Sequence, residues 1–132
     1  PYQWGSKRTG PDLARLGGKY NDAWHYDHLE NPRNISVGSN MPGYTWLKDQ
    51  NTDYAALPSK IRVQRMLGVP FPESWSPAEI DRLAKEQAQG IAKTLRAEGR
   101  YVDADREVVA LIAYLQTLGK KWEPTNTATA SR

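Results

Sequence analysis

Residues 76–99 read SPAEIDRLAKEQAQGIAKTLRAEG, and both ends of a helix are marked in this stretch. Ser76 is a favourable N-cap, Pro77 suits the first helical position, and Glu79 completes a capping box. Gly99 is typical of the position just beyond a helix. Apolar side chains recur between these ends at helical spacing, at Ile80, Leu83, Ala84, Ala88, Ile91 and Leu95. The stretch therefore predicts a long amphipathic helix and favours an all-α fold.

Shorter helices are expected on both sides of this one. The predicted ranges, with the long helix included, are 23–30, 58–67, 77–97 and 104–118, after a short helical turn around 12–16. Residues 32–54 are rich in Pro, Gly and Asn, which is typical of irregular chain. Residues 123–132 have the composition of a flexible tail, and no stretch alternates for long enough to predict a strand. We therefore expect residues 1–132 to form one all-α domain with long loops.

The composition indicates a folded domain and excludes several functions. Leu, Ile, Val and Phe together supply 23 of 132 residues, while five Trp and seven Tyr add bulky apolar surface, so the core is expected to be modest and rich in aromatic rings. A net charge of +3 without a basic stripe gives no nucleic-acid footprint. No apolar run is long enough to span a membrane. Zero cysteines exclude a disulfide framework and a thiolate metal site.

Met41 is the side chain with the most distinctive chemistry. It is one of only two methionines, and it lies in an Asn-Met-Pro loop with little reason to be helical. A thioether in a loop is the right kind of group for a soft axial ligand to haem iron. A loop methionine also commonly fills a gap in an apolar core, and residue type alone leaves both interpretations open.

The order of several motifs indicates a family. The stretches that carry the resemblance are WGSKRTGPDL (4–13), DAWHYDHLENP (22–32), SNMPGYTWL (39–47), LGVPF (67–71) and EVVALIAYLQTLG (107–119). In this order they resemble the mono-haem cytochrome c subunit of cbb3-type cytochrome c oxidases, over nearly the whole chain. The resemblance implies a class I cytochrome c-like fold that lacks its first helix and has an extra helical insert after the methionine loop.

The resemblance also implies an electron-transfer role. A subunit of this family is expected on the periplasmic side of the bacterial inner membrane, where it passes electrons from a di-haem cytochrome c subunit or a donor cytochrome c to the haem-copper catalytic subunit. Its cofactor is haem c, with Met41 as the distal iron ligand. The Cys-x-x-Cys-His segment, the proximal His and a membrane-anchoring helix are expected upstream of Pro1. No covalently bound haem is expected in these 132 residues, because they contain no cysteine.

The same resemblance implies a set of pocket residues around the haem. Pro11 is expected beside the proximal His. Arg8, with Lys7 next to it, could contact the propionates, because an Arg fork matches a carboxylate; without a haem the two are loop cations. The other pocket residues implied are Leu13, Trp24, Tyr44 and Trp46, of which the three aromatic residues could wall the pocket, pack as core, or do both.

His25 and His28 form a pair on the predicted 23–30 helix. With Asp27 and Glu30 close in sequence, they could form a weak two-His metal site. The alternative, which we favour, is a pair of partly exposed histidines on a polar helix face. The resemblance assigns both to the middle helix of the fold, so neither is expected to replace the proximal ligand.

A second function remains open at this point. The same scaffold without a cofactor would be a haem-free interaction or assembly module. Independent catalysis is not expected, because the chain has no glycine-rich phosphate loop and no nucleophile motif. Without a haem and a first helix, the face of residues 108–118 and the Met41 loop should be partly exposed, which would favour self-association.

Overall fold

The computed structural model describes residues 13–120, which contain five α-helices and two short 3₁₀ helices joined by loops. The α-helices are α1 (Asp22–Glu30), α2 (Pro32–Ile35), α3 (Leu57–Met66), α4 (Pro77–Ala97) and α5 (Glu107–Leu115), and the 3₁₀ helices are Leu13–Arg15 and Thr45–Lys48. No β-strand occurs between residues 13 and 120, where Asn51 and Arg106 form an isolated bridge. The all-α prediction is confirmed.

The helices with local end signals lie close to their predicted ranges. The Asn21 side chain accepts a hydrogen bond from the Trp24 amide and begins α1. Ser76 does the same for the Glu79 amide, 3.2 Å away, and begins α4. Only this half of the predicted capping box forms, because the Glu79 carboxylate accepts hydrogen bonds from Arg82 and not from the Ser76 amide. These starts follow from side chains within one turn of the helix.

Two predicted ranges are wrong in part. Within the stretch expected to be irregular, residues 32–35 and 45–48 are helical, the first because the Asn31 side chain caps it through the Arg33 amide. The last helix is shorter than predicted at both ends, since it spans Glu107–Leu115 and not 104–118. The Glu107 amide donates to the carbonyl of Gln50, 2.9 Å away, which holds the preceding residues in a turn against the 49–52 loop.

The core lies where α1, α4 and α5 meet. Its buried members are Ala23, Leu29, Ala88, Leu95, Val102, Val108, Val109 and Ile112. Leu95, Val109 and Ile112 have no exposed surface. The apolar stripe of the last helix was expected to be partly exposed. This is wrong for Val108 and Ile112, which are buried. The stripe's outer members Leu111, Leu115 and Leu118 are only partly buried.

One amide side chain fastens the start of the described chain to its last helix. The Gln116 Nε2 donates to the Tyr20 carbonyl at 3.0 Å and to the Asp22 carboxylate at 2.8 Å, while its Oε1 accepts from the Gly18 amide. A Cβ added to Gly17 would lie 2.4 Å from the Gln116 carbonyl oxygen, so the two backbones approach as only glycine allows.

An ion pair links α1 to the end of α4. Arg100 meets Asp27 through two hydrogen bonds, with the closest N–O distance 2.5 Å. In the described part of the chain no helix combines the length and the apolarity needed to cross a bilayer. The tail expected at 123–132 lies outside the described residues.

Candidate functional site

The Met41 loop lies against the core at the end of α1. The Met41 side chain is partly buried and packs on the core cluster. Its amide donates to the Ser39 hydroxyl at 3.2 Å, which turns the chain just before the methionine. The thioether is therefore held on apolar surface and is neither loose in solvent nor fully buried in the core.

Two backbone contacts fix this loop to α1. The Tyr44 amide donates to the Leu29 carbonyl at 2.7 Å. At Gly43 an added Cβ would lie 2.6 Å from the Glu30 carbonyl oxygen. Because that neighbour is backbone, a larger residue could enter only if the loop moved away from the helix. Gly43 thus sets how closely the methionine loop approaches α1.

Aromatic and charged side chains continue the site beyond the methionine. Tyr44 packs on the core, and its ring meets that of Trp46 edge to face with centroids 5.3 Å apart. Trp46 keeps 48% of its surface exposed. Lys48 binds Glu30 at 2.5 Å and braces the same turn against α1. That hydrogen bond raises the pKa of the Lys48 ammonium.

A second aromatic group lies along one side of α1. The rings of Tyr20 and Trp24 stack with centroids 3.9 Å apart, and His28 stacks on Trp24 at 4.7 Å. His25 meets both Tyr20 and Trp24 edge-on. The four rings form one continuous stack-and-edge cluster, which we call the α1 ring cluster.

The two histidines of this cluster are not a solvated pair, and the prediction of partial exposure is wrong for His25. Its ring is 2% exposed because it faces the core side of α1. Burial lowers the pKa of both His25 and His28. The Nε2 of His25 and the Nδ1 of His28 are buried and lack hydrogen-bond partners. Among residues 13–120 no three His, Asp or Glu side chains are grouped closely enough to hold a metal ion.

The structure brings together only part of the predicted pocket. Met41, Tyr44 and Trp46 share one loop, whereas the ring contacts of Trp24 lie within the α1 ring cluster. Leu13 is 54% exposed in the first 3₁₀ helix. The predicted propionate and proximal-side residues, Arg8 and Pro11 with Lys7, lie outside the described residues.

Sequence reasoning missed Tyr20 as a member of the α1 ring cluster, because it precedes the helix cap. The signal was present, since Tyr20, Trp24 and His28 are spaced by four residues each and so share one side of a helix and its approach. Gln116 was missed because its partners are more than 90 residues away.

An open depression of about 710 Å³ adjoins the Lys48 end of the site. Its lining includes Tyr26, Tyr101 and three cations, and no site residue predicted from the sequence lines it. The cations are already paired, Lys48 with Glu30 and both Arg96 and Arg106 with Asp103. Of its two carboxylates, Asp103 is paired with these arginines, whereas the described residues give Asp49 no ion pair.

The residues present fit one side of a haem. Met41 offers a soft sulfur ligand on apolar surface, and the unpartnered ring nitrogens of His25 and His28 are buried polar atoms on the neighbouring helix. Both histidine rings are already in aromatic contact. Thioether attachment of haem c needs cysteine, and the chain has none. These residues can therefore supply one axial ligand and part of a wall, but no covalent link.

The described residues form an all-α domain with a methionine loop packed on its core. This arrangement is consistent with the class of cytochrome c-like domains. The chain belongs to the FixO family, the mono-haem subunit of cytochrome c oxidase, whose family model matches residues 1–122. The resemblance to the mono-haem subunit of cbb3-type oxidases is thereby confirmed. The family implies haem c, electron transfer and association with other subunits in a membrane-associated complex. No curated protein matches the chain.

Proposed function

We propose that this chain forms the methionine side of the haem pocket in a cbb3-type oxidase subunit, with Met41 as the distal ligand to the iron. The observation that carries the proposal is the position of Met41, which is held by Ser39 and Tyr44 on the apolar core. The family match supports the haem, and the chemistry of a thioether supports the ligand.

The described residues would contribute position and environment to this function. A bound haem supplies reversible one-electron chemistry at its iron, and His/Met ligation raises the potential of that couple. The Tyr44 and Leu29 backbones hold the loop, so the sulfur would need little rearrangement when it binds. Tyr44 and Trp46 would limit the access of water to the Met41 sulfur. The lower local dielectric would in turn influence the reduction potential of a bound haem.

The proposed route of electrons follows the family resemblance. A donor cytochrome c or the di-haem subunit would deliver an electron on the periplasmic side of the membrane, and the haem-copper catalytic subunit would receive it. The proximal His would come from a Cys-x-x-Cys-His segment, which these 132 residues do not contain. The protein itself would perform no acid–base chemistry, because the cofactor carries the electron.

The test supplies the missing ligand in a peptide. A short peptide that carries haem through Cys-x-x-Cys-His, with its own His bound and the opposite iron position open, is titrated with the 132-residue chain. We expect a low-spin six-coordinate spectrum with the sulfur-to-ferric-iron charge-transfer band, and a midpoint potential above that of the free peptide. Met41→Leu should lose the band and lower the potential, because leucine keeps the volume and removes the sulfur.

Met66 provides the matched control. It is the only other methionine of the chain, and it is 81% exposed on α3. Met66→Leu should keep the spectrum of the unchanged chain. Loss of the band in Met66→Leu and its retention in Met41→Leu would refute the assignment. A chain that leaves the peptide spectrum unchanged would favour the haem-free assembly module.

A further inference from the structure

The outward face of α3 is apolar although it is exposed. Val63, Met66 and Leu67 keep 50%, 81% and 73% of their surface open. Their i, i+3, i+4 spacing places them side by side along the helix. The opposite face, with Leu57 and Ile61, is partly buried. The apolar surface is therefore a continuous outward strip and not the edge of the core.

Two cations border this strip. Lys60 lies three residues before Val63, and Arg62 lies four residues before Met66, so each is adjacent to the strip on the helix surface. Within residues 13–120 the side chains of Lys60 and Arg62 make no ion pair or hydrogen bond. Residues 54–72 contain no Asp or Glu. The whole face is consequently apolar along its centre and positive along its borders.

Backbone hydrogen bonds at the end of α3 fix the position of Leu67 relative to Met66. The Gly68 amide donates to the Arg65 carbonyl at 2.9 Å and the Val69 amide to the Gln64 carbonyl at 3.0 Å, and Gly68 has φ +87°. This is a Schellman motif, which closes the helix and turns the chain away. The Arg65 guanidinium donates to the carbonyl of Pro72 on the returning segment. Leu67 is thereby kept beside Met66 on the outward face.

We propose that this face of α3 binds the headgroup region of an anionic lipid bilayer. Apolar side chains on one helix face enter the boundary between headgroups and acyl chains, while flanking Lys and Arg extend to the phosphates. The charge of the face is complementary to acidic lipid, because Lys60 and Arg62 have no ion pair within residues 13–120 and residues 54–72 contain no acid. A strip on the outer surface of a single helix can also lie against a deformable lipid surface, whereas it offers no pocket for a small ligand. The proposal does not depend on Met41 or on a haem.

Vesicle flotation with the full 132-residue chain tests the proposal. Vesicles of phosphatidylglycerol and phosphatidylethanolamine are compared with vesicles of phosphatidylcholine, at low and high salt. We expect salt-sensitive binding to the anionic vesicles and little binding to the neutral ones. Replacing Lys60 and Arg62 by Gln should weaken binding about fivefold for each cation removed. The pair Met66→Ser and Leu67→Ser should weaken it at least about tenfold.

Matched variants separate the face from general surface effects. Val37 is fully exposed, so Val37→Ser removes an exposed apolar side chain elsewhere, and Lys93→Gln removes a cation from the exposed side of α4. Both should bind vesicles like the unchanged chain. Circular dichroism confirms that each variant is folded.

Several outcomes would overturn the proposal. One is absence of binding to anionic vesicles by the folded chain, and another is binding that the α3 variants leave unchanged. Equal, salt-insensitive binding to both lipid types would remove the charge argument. If sedimentation instead shows a dimer that Met66→Ser and Leu67→Ser abolish, and vesicles are not bound, the strip is an interface between two copies of this chain.

Discussion

Replacing Gly43 by alanine should increase the distance between the methionine loop and α1 by an amount that the structure sets. The added Cβ would lie 2.6 Å from the Glu30 carbonyl oxygen, and ordinary contact begins at 3.4 Å. Loop and helix must therefore separate by about 0.8 Å, because neither atom belongs to a flexible side chain. Overpacking of this kind costs about 1–3 kcal/mol in free energy of unfolding. For a domain of this size that lowers Tm by roughly 4–12 °C.

Two measurements check this loss. Thermal unfolding followed by circular dichroism gives the change in Tm, and amide hydrogen exchange reports the Tyr44 amide. That amide donates to the Leu29 carbonyl across the same gap at 2.7 Å, so its exchange should become faster as the loop moves out. Met41 should become more exposed in the same variant.

Gly90→Ala is the control for the same chemical change. Gly90 lies inside α4, and an added Cβ there has nothing within 4 Å. Alanine should stabilise the helix by about 1 kcal/mol and raise Tm by roughly 4 °C. The reasoning on Gly43 would be refuted if Gly43→Ala also raised Tm, or if its Tyr44 amide exchanged at the original rate.

Two further predictions concern the cap of α4 and the buried histidine. Ser76→Ala should lower the free energy of unfolding by about 1 kcal/mol, measured in urea, because the Glu79 amide loses its acceptor; a Ser76→Asp control should restore it, and equal stability of all three would contradict the cap. Burial lowers the pKa of His25 below its ordinary value of 6.5, so the unfolded chain takes up this proton first and stability is lost as the pH falls below about 6.5. His25→Phe should therefore show a smaller fall in the free energy of unfolding between about pH 7.5 and 5.5, and an unchanged slope would show that His25 does not contribute to it.

The parts of the fold that were predictable depend on neighbours in sequence. The start of α4 follows from Ser76 and Pro77, and its end from Gly99, all within a turn of the helix that they delimit. The shortened start of α5 was not predictable from its own residues. It depends on the Gln50 carbonyl, which belongs to a loop more than 50 residues away.

The candidate site divides in the same way. The order of motifs indicated Met41, Tyr44 and Trp46, and the structure places the three on one loop, while their role toward a haem stays a prediction. The burial of His25 was not predictable, because a short helix with two His, two Asp and a Glu has no clear apolar face. Its burial depends on packing in the folded chain, where the rings of Tyr20 and Trp24 contact it and α1 lies against α4 and α5.

The hydrogen bonds of the Gln116 side chain have a consequence for the order of folding. They join Gln116 to Gly18, Tyr20 and Asp22, which lie 94 to 98 positions earlier. The loop that they close contains almost every helix of the described chain. Long loops are entropically costly to close before the chain between them is compact. The hydrogen bonds of Gln116 should therefore form late in folding, after α4 and α5 have docked on α1.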